Sequence, residues 1–108
     1  ESLSVEESCA LLPVRTDFVV LWRWLERQSA RTPVIEDSPE HIARGVARSS
    51  GQPEVPVRTM VCLKVMEERG LISLDGRERL SITLHHLEHK VDLDDSVILR
   101  RLRRFAGQ

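Results

Sequence analysis

Three histidines, His85, His86 and His89, stand close together beside Glu88. Such a group invites comparison with the His-Glu-x-x-His arrangement, where two histidines one helical turn apart hold zinc and the glutamate acts as base. Here the order is His-His-Leu-Glu-His. In an extended segment the turn that would join His85 to His89 is lost, and the group reads as neutral surface histidines. His41 reads as a helix-face residue. Asp92, Asp94 and Asp95 lack the glycine and the closing glutamate of a calcium loop, and helix capping accounts for Asp94 and Asp95. Cys62 lies between Val61 and Leu63 in an apolar run, the setting of an inert core thiol. Cys9 has no neighbouring histidine or cation to activate it. Gly45, Gly51, Gly70, Gly76 and Gly107 match no nucleotide-binding fingerprint. The sequence therefore assigns no catalytic residue, no metal ligand and no cofactor to these residues.

The remaining chemistry is cationic. Arg100, Arg101, Arg103 and Arg104 cluster near the end of the chain, and Arg77 and Arg79 flank a turn. One reading is a solvated helix face whose arginines complement the helix dipole. The other is a phosphate-contacting patch joined by the two turn arginines. Sequence alone does not bring the two groups together. The formal net charge of −1 removes any global basic excess, so a nucleic-acid contact would have to be local. Trp22 and Trp24, two residues apart on a helix, turn to different sides. Trp22 falls on the apolar stripe. Trp24 is the odd one, either exposed as an anchor for a neighbour or a base, or half-buried by its own fold.

These side chains need elements to position them. Residues Glu1 to Val14, with the apolar clump Cys9 to Leu12, read as a strand or lead-in segment ended by Pro13. Phe18, Leu21, Trp22 and Leu25 recur at helical spacing and predict a helix from about Asp17 to Gln28, capped through Thr16-Asp17. Val34-Ile35 is a short extended piece. Asp37-Ser38-Pro39-Glu40 starts a second helix running to about Arg48, with Ile42 and Val46 inward. Ser49 to Pro53 is a loop by composition. Pro56 opens a third helix, apolar on more than one stripe and hence the most buried. Gly70 is placed to end it in a left-handed cap. Its outward residues include Arg58, Lys64, Glu67 and Glu68, a weak surface for phosphate because of the paired carboxylates.

A hairpin follows, with Leu71 to Leu74 against Leu80 to Leu84. A two-residue Asp75-Gly76 loop would pair Leu74 with Arg77 and turn Leu80 to the opposite face. A loop of three or five residues puts Ile72, Leu74, Leu80, Ile82 and Leu84 on one face. The odd loop is the prediction, with Gly76 inside it and Arg77 and Arg79 near the tip. Asp94-Asp95-Ser96 caps a last helix with Ile98, Leu99, Leu102 and Phe105 inward.

The chain has 108 residues, 41% hydrophobic and 31% charged, with two Trp, two Phe and no Tyr. This is one domain of the globular type, with a core built from Leu, Val and Ile. No apolar run is long enough to span a bilayer. Two distant cysteines outside any CxxC give no disulfide framework, and a reducing cytoplasm is the expected compartment. The first residue is not Met, and residues 1–108 read as a single domain excised from a longer protein.

Three stretches together carry a resemblance. Leu12-Pro13-Val14-Arg15-Thr16-Asp17-Phe18-Val19-Val20-Leu21-Trp22-Arg23-Trp24-Leu25 resembles the opening of the C-terminal domain of RecJ-type, single-stranded-DNA-specific exonucleases of clostridial bacteria. Val61-Cys62-Leu63-Lys64-Val65-Met66-Glu67-Glu68-Arg69-Gly70-Leu71-Ile72 is similar to that domain's central helix and turn. Lys90-Val91-Asp92-Leu93-Asp94-Asp95-Ser96, then Leu99-Arg100-Arg101-Leu102, resembles its end. The stretches fall in the family's order and cover most of the chain. The resemblance implies a parent that degrades single-stranded DNA from the 5′ end with Mn²⁺ or Mg²⁺. Its Asp-His-His core is not in this sequence, since His85-His86 follows Leu84. No catalytic residue carries over.

The resulting expectation is an α+β, winged-helix-like domain: three helices, a β-hairpin wing and a C-terminal helix. Its expected role is non-catalytic, in DNA repair and recombination, bracing the parent's catalytic lobes or contacting DNA or a partner protein. Residues Arg77, Arg79, Arg100, Arg101, Arg103 and Arg104 are the candidates for nucleic-acid contact. The rivals are a winged-helix transcription regulator that binds duplex DNA and a pure protein-interaction module.

Overall fold

A computed structural model describes residues 4–107. They form an α+β domain of five α-helices, one 3-10 turn and a three-stranded antiparallel sheet. Residues 1–3 of the expected lead-in lie outside the described residues. The rest of that lead-in is helix α1, Val5–Leu11, not a strand. The cause is local. The Ser4 hydroxyl accepts from the Glu7 amide at 3.1 Å, and the Glu7 carboxylate accepts from the Ser4 amide at 3.3 Å. This reciprocal capping box satisfies two otherwise free donors at the helix start.

Helix α2 spans Arg15–Ser29. It starts two residues earlier than the apolar spacing suggests, because Asp17 sits in its first turn instead of before it. The Asp17 carboxylate accepts from the Val14 amide at 2.7 Å. Phe18, Leu21 and Leu25 are buried as expected, but Trp24 is buried too, at 9% exposure, and Trp22 is the half-buried one. The reason lies on the facing helix. Gly45 has no side chain, and the Trp24 indole fills that space.

Strand β1, Ile35–Asp37, leads into helix α3, Pro39–Ser50. The Ser38 hydroxyl caps α3 by accepting from the His41 amide at 3.2 Å. The helix continues past Arg48 to its left-handed cap at Gly51, and Ser49 and Ser50 fold their hydroxyls back onto the Val46 carbonyl, at 3.1 and 2.6 Å. The segment expected as loop therefore begins only at Gly51.

Helix α4, Pro56–Glu68, is the hub of the molecule. It packs against α1, α2, α3, α5 and the first hairpin strand. Leu63, Val65 and Met66 are buried, as expected of a helix that is apolar on several sides. Gly70, at φ 80°, supplies the predicted left-handed end.

The hairpin strands are β2, Ile72–Asp75, and β3, Leu80–Leu84. Leu74 pairs with Ile82 and Asp75 with Ser81, so five residues separate the last pair. The odd loop stands, and Ile72, Leu74, Leu80, Ile82 and Leu84 all face the core. β1 joins the hairpin through β3, with Ile35 opposite Ile82, so the sheet order is β1-β3-β2. The extended piece at Val34-Ile35 is thus a third strand of the sheet.

A 3-10 turn at Leu93–Asp95 precedes helix α5, Val97–Phe105. Ser96 caps α5 by accepting from the Leu99 amide at 3.2 Å. Leu99 and Leu102 are buried and Ile98 is half-buried. Phe105, expected inward, is 36% exposed. It is the last residue of α5, three residues beyond the buried Leu102.

Candidate nucleic-acid interface

The hairpin tip holds Arg77 and Arg79, both exposed. Arg79 donates through Nη2 to the Glu36 carbonyl at 3.4 Å, which ties the tip to β1. Arg77 has no ion-pair partner among the described residues. On α5 two of the four arginines are engaged by the acids that precede the helix. Arg103 pairs with Asp94 at 2.7 Å and Arg100 with Asp95 at 3.2 Å. Arg101 and Arg104 are exposed. Exposed pairs of this kind hold little energy, but Asp92, Asp94 and Asp95 set three carboxylates in sequence just before the four arginines. The start of α5 is held by Glu68, at the end of α4 where the hairpin begins. The tip lies at the far end of β2 from that point. No hydrogen bond or ion pair among the described residues joins the two arginine groups.

Of the side chains expected to face outward from α4, Lys64 and Glu68 are exposed and Arg58 and Glu67 half-buried, but Arg58 and Glu68 also tie α4 to other elements. Arg58 donates through Nε to the Ala10 carbonyl at 3.4 Å and lies 3.8 Å from Asp17, so it links α1, α2 and α4. Lys64 pairs with Glu67 at 3.8 Å. The Glu68 carboxylate accepts from the Ser96 hydroxyl at 2.7 Å, the Val97 amide at 2.7 Å and the Ile98 amide at 3.3 Å. It thereby caps α5 from outside that helix. Desolvation where it docks pushes the carboxyl pKa up, but the Ser96 hydroxyl, the two amides and Arg69 outweigh this and hold it below the usual range, although the residue is exposed.

His85, His86 and His89 all border one hollow beside α2, while His41 lies apart from them at the start of α3. The His85 ring donates through Nδ1 to the Gly70 carbonyl at 3.1 Å, since a carbonyl can only accept. Its Nε2 then accepts from the Ser73 hydroxyl at 2.7 Å. Both ring nitrogens are occupied in holding β2 and β3 together, and His85 is no free ligand. His41 lies 3.0 Å from Asp37 at the start of α3. Among the described residues no three His, Cys, Asp or Glu side chains are placed to hold the metal that the resemblance implies for the parent enzyme. Cys62 is buried, and desolvation, with the nearby Asp17, pushes its thiol well above the ordinary range against the pull of Arg58. Cys9 is a free, exposed thiol.

Two open hollows flank α2 and were not anticipated. One is lined by Arg23, Glu26, Arg27, Ser49 and Ser50, the other by Trp22, Arg23, Glu26, Leu87 and Lys90 among others. The spacing of Arg23 and Arg27, one helical turn apart, was the available signal.

No protein-family model matches the chain, and neither does any curated protein or solved structure. Among the described residues no helix is long and apolar enough to cross a membrane.

Proposed function

We propose that the chain is a winged-helix-like, non-catalytic accessory domain of a cytoplasmic 5′–3′ exonuclease acting on single-stranded DNA in repair and recombination. The order α2, β1, α3, α4, β2, β3, with β1 laid against β3, supports the winged-helix reading. The three resembling stretches support the parent. They fall on structurally central places: the start of α2, the α4–β2 junction and the Glu68-capped start of α5.

One observation carries the accessory role over the rival of a duplex-binding regulator. In a groove-reading winged helix, the helix before the hairpin offers its polar side chains to base edges. Here Arg58 and Glu68 of α4 are committed to Ala10, Asp17 and the start of α5. Helices α1 and α5 pack over α4. The helix is built to be enclosed, and a catalytic lobe is braced by such a unit as a rigid body.

The gene tests the parentage. Extending the reading frame upstream should reach an Asp-His-His motif. A frame that opens at this segment and encodes no such lobe overturns the proposal. A duplex titration tests the role, with no sequence-selective binding expected at moderate salt.

A further inference from the structure

The two hollows beside α2 adjoin at Arg23 and Glu26, which line both, and the pair is treated as one trough. Its charged lining consists of Arg23, Arg27 and Lys90 against the single carboxylate Glu26, with His85, His86 and His89 as further titratable groups in the second hollow. Among the described residues none of the three cations lies within ion-pair distance of an acid. This contrasts with α5, where Asp94 and Asp95 engage two of the four arginines. The hollow that holds Arg23 and Lys90 is lined in large part by apolar side chains, among them the half-buried Trp22 and the exposed Leu87.

We infer that this trough binds single-stranded nucleic acid, with phosphates on Lys90, Arg23 and Arg27 and a base stacked on Trp22. Unpaired cations spaced along a groove beside an aromatic face are the two parts that sequence-tolerant single-strand binding requires. A duplex keeps its base faces inside the stack and offers Trp22 nothing to stack on. The hydroxyls of Ser49 and Ser50 are turned to the Val46 carbonyl, so the charge lies with the cations. Glu26 is the one opposing group, and this gives the assignment an unusual signature. Removing that carboxylate should improve binding.

The assignment does not depend on the exonuclease parent. The upstream motif can be present while the trough fails, or absent while the trough binds. The test is fluorescence anisotropy of a labelled oligothymidylate with the full chain at two salt concentrations. The combined variant Arg23→Gln, Arg27→Gln should weaken binding and lower the salt slope by about 1.4, at roughly 0.7 per phosphate contact on a single strand. Trp22→Leu keeps the apolar packing and should lose on the order of ten-fold in affinity, with Trp22→Phe restoring part of it. Glu26→Gln should tighten binding several-fold. Arg101→Gln with Arg104→Gln should change nothing. Binding that is insensitive to the α2 variants but lost with the α5 pair overturns the assignment. So does an affinity unmoved by Trp22→Leu, or capture of an acidic, apolar peptide by a chain that ignores the oligonucleotide.

Discussion

Gly45 is fixed by a neighbour in space, not by its backbone. A Cβ there would come within 2.7 Å of the Trp24 indole nitrogen and 2.8 Å of the adjoining ring carbon. The indole is buried and cannot swing aside without opening the α2–α3 contact. Gly45→Ala should gain about 1 kcal/mol of helix propensity. It should lose more, because overpacking a filled core costs about 1–3 kcal/mol. Urea denaturation should therefore show a net destabilisation with an unchanged slope. A stabilised variant would mean that Trp24 relaxes freely. Gly76 is fixed instead by its φ of 95° and by the Arg79 carbonyl, which a Cβ would strike. Gly76→Ala should strain the hairpin turn and lower stability, seen as loss of exchange protection confined first to β2 and β3 amides.

Among the elements, α5 depends most on one distant side chain. Glu68 supplies three hydrogen-bond acceptances at its start, and the Ser96 cap supplies a fourth. Because docking holds the Glu68 carboxyl below its usual range, the ionised form favours the docked helix. That contribution is complete above the carboxylate pKa of the unfolded chain, and it is lost as pH falls through the lower folded value. Glu68→Gln should lower the melting temperature near neutral pH by on the order of a few degrees. The gap from the parent chain should close in acid. A gap that stays constant with pH would assign Glu68 a packing role only. This contact also marks what a sequence can disclose about elements. The hairpin phase was legible because alternation of Ile72, Leu74, Leu80, Ile82 and Leu84 admits only an odd loop. The starts of α3 and α5 were legible from Ser38 and Ser96, whose hydroxyls cap within the same turn. Helix α1 was readable from Ser4 and Glu7 but masked by the apolar run beyond them. The partnership of Glu68 with residues 96–98 leaves no local trace, and the trough combines α2 with residues after β3 that only the fold brings together. For the same reason the burial of Trp24 was hidden, since it follows from a missing side chain on α3.

At the scale of the whole molecule, α1 and α5 lie together over α4, while α2, α3, α4 and the sheet share the main core, which α5 enters through Leu99. The arrangement is layered, and its outer layer is held by few groups. Leu99 and Leu102 are the buried residues of α5, worth at most about 1.5–3 kcal/mol each. Domains of this size have about 5–15 kcal/mol in total, so losing α5 weakens the fold without abolishing the inner layer. A chain ending before Ser96 should therefore keep its sheet and α2–α4, while α1, now packed against α4 alone, should lose exchange protection. The two cysteines report the outcome separately. Cys9 is exposed and should react with a thiol reagent in either chain. Cys62 is 1% exposed and lies in the inner layer, where it borders a small hollow beside Leu21, Ala43 and Val46 and away from α5. It should stay unreactive in the shortened chain without denaturant and become reactive only through the global transition, at a lower denaturant midpoint. Immediate labelling of Cys62 on truncation would show instead that α5 is integral to a single cooperative unit, with no inner layer able to stand alone.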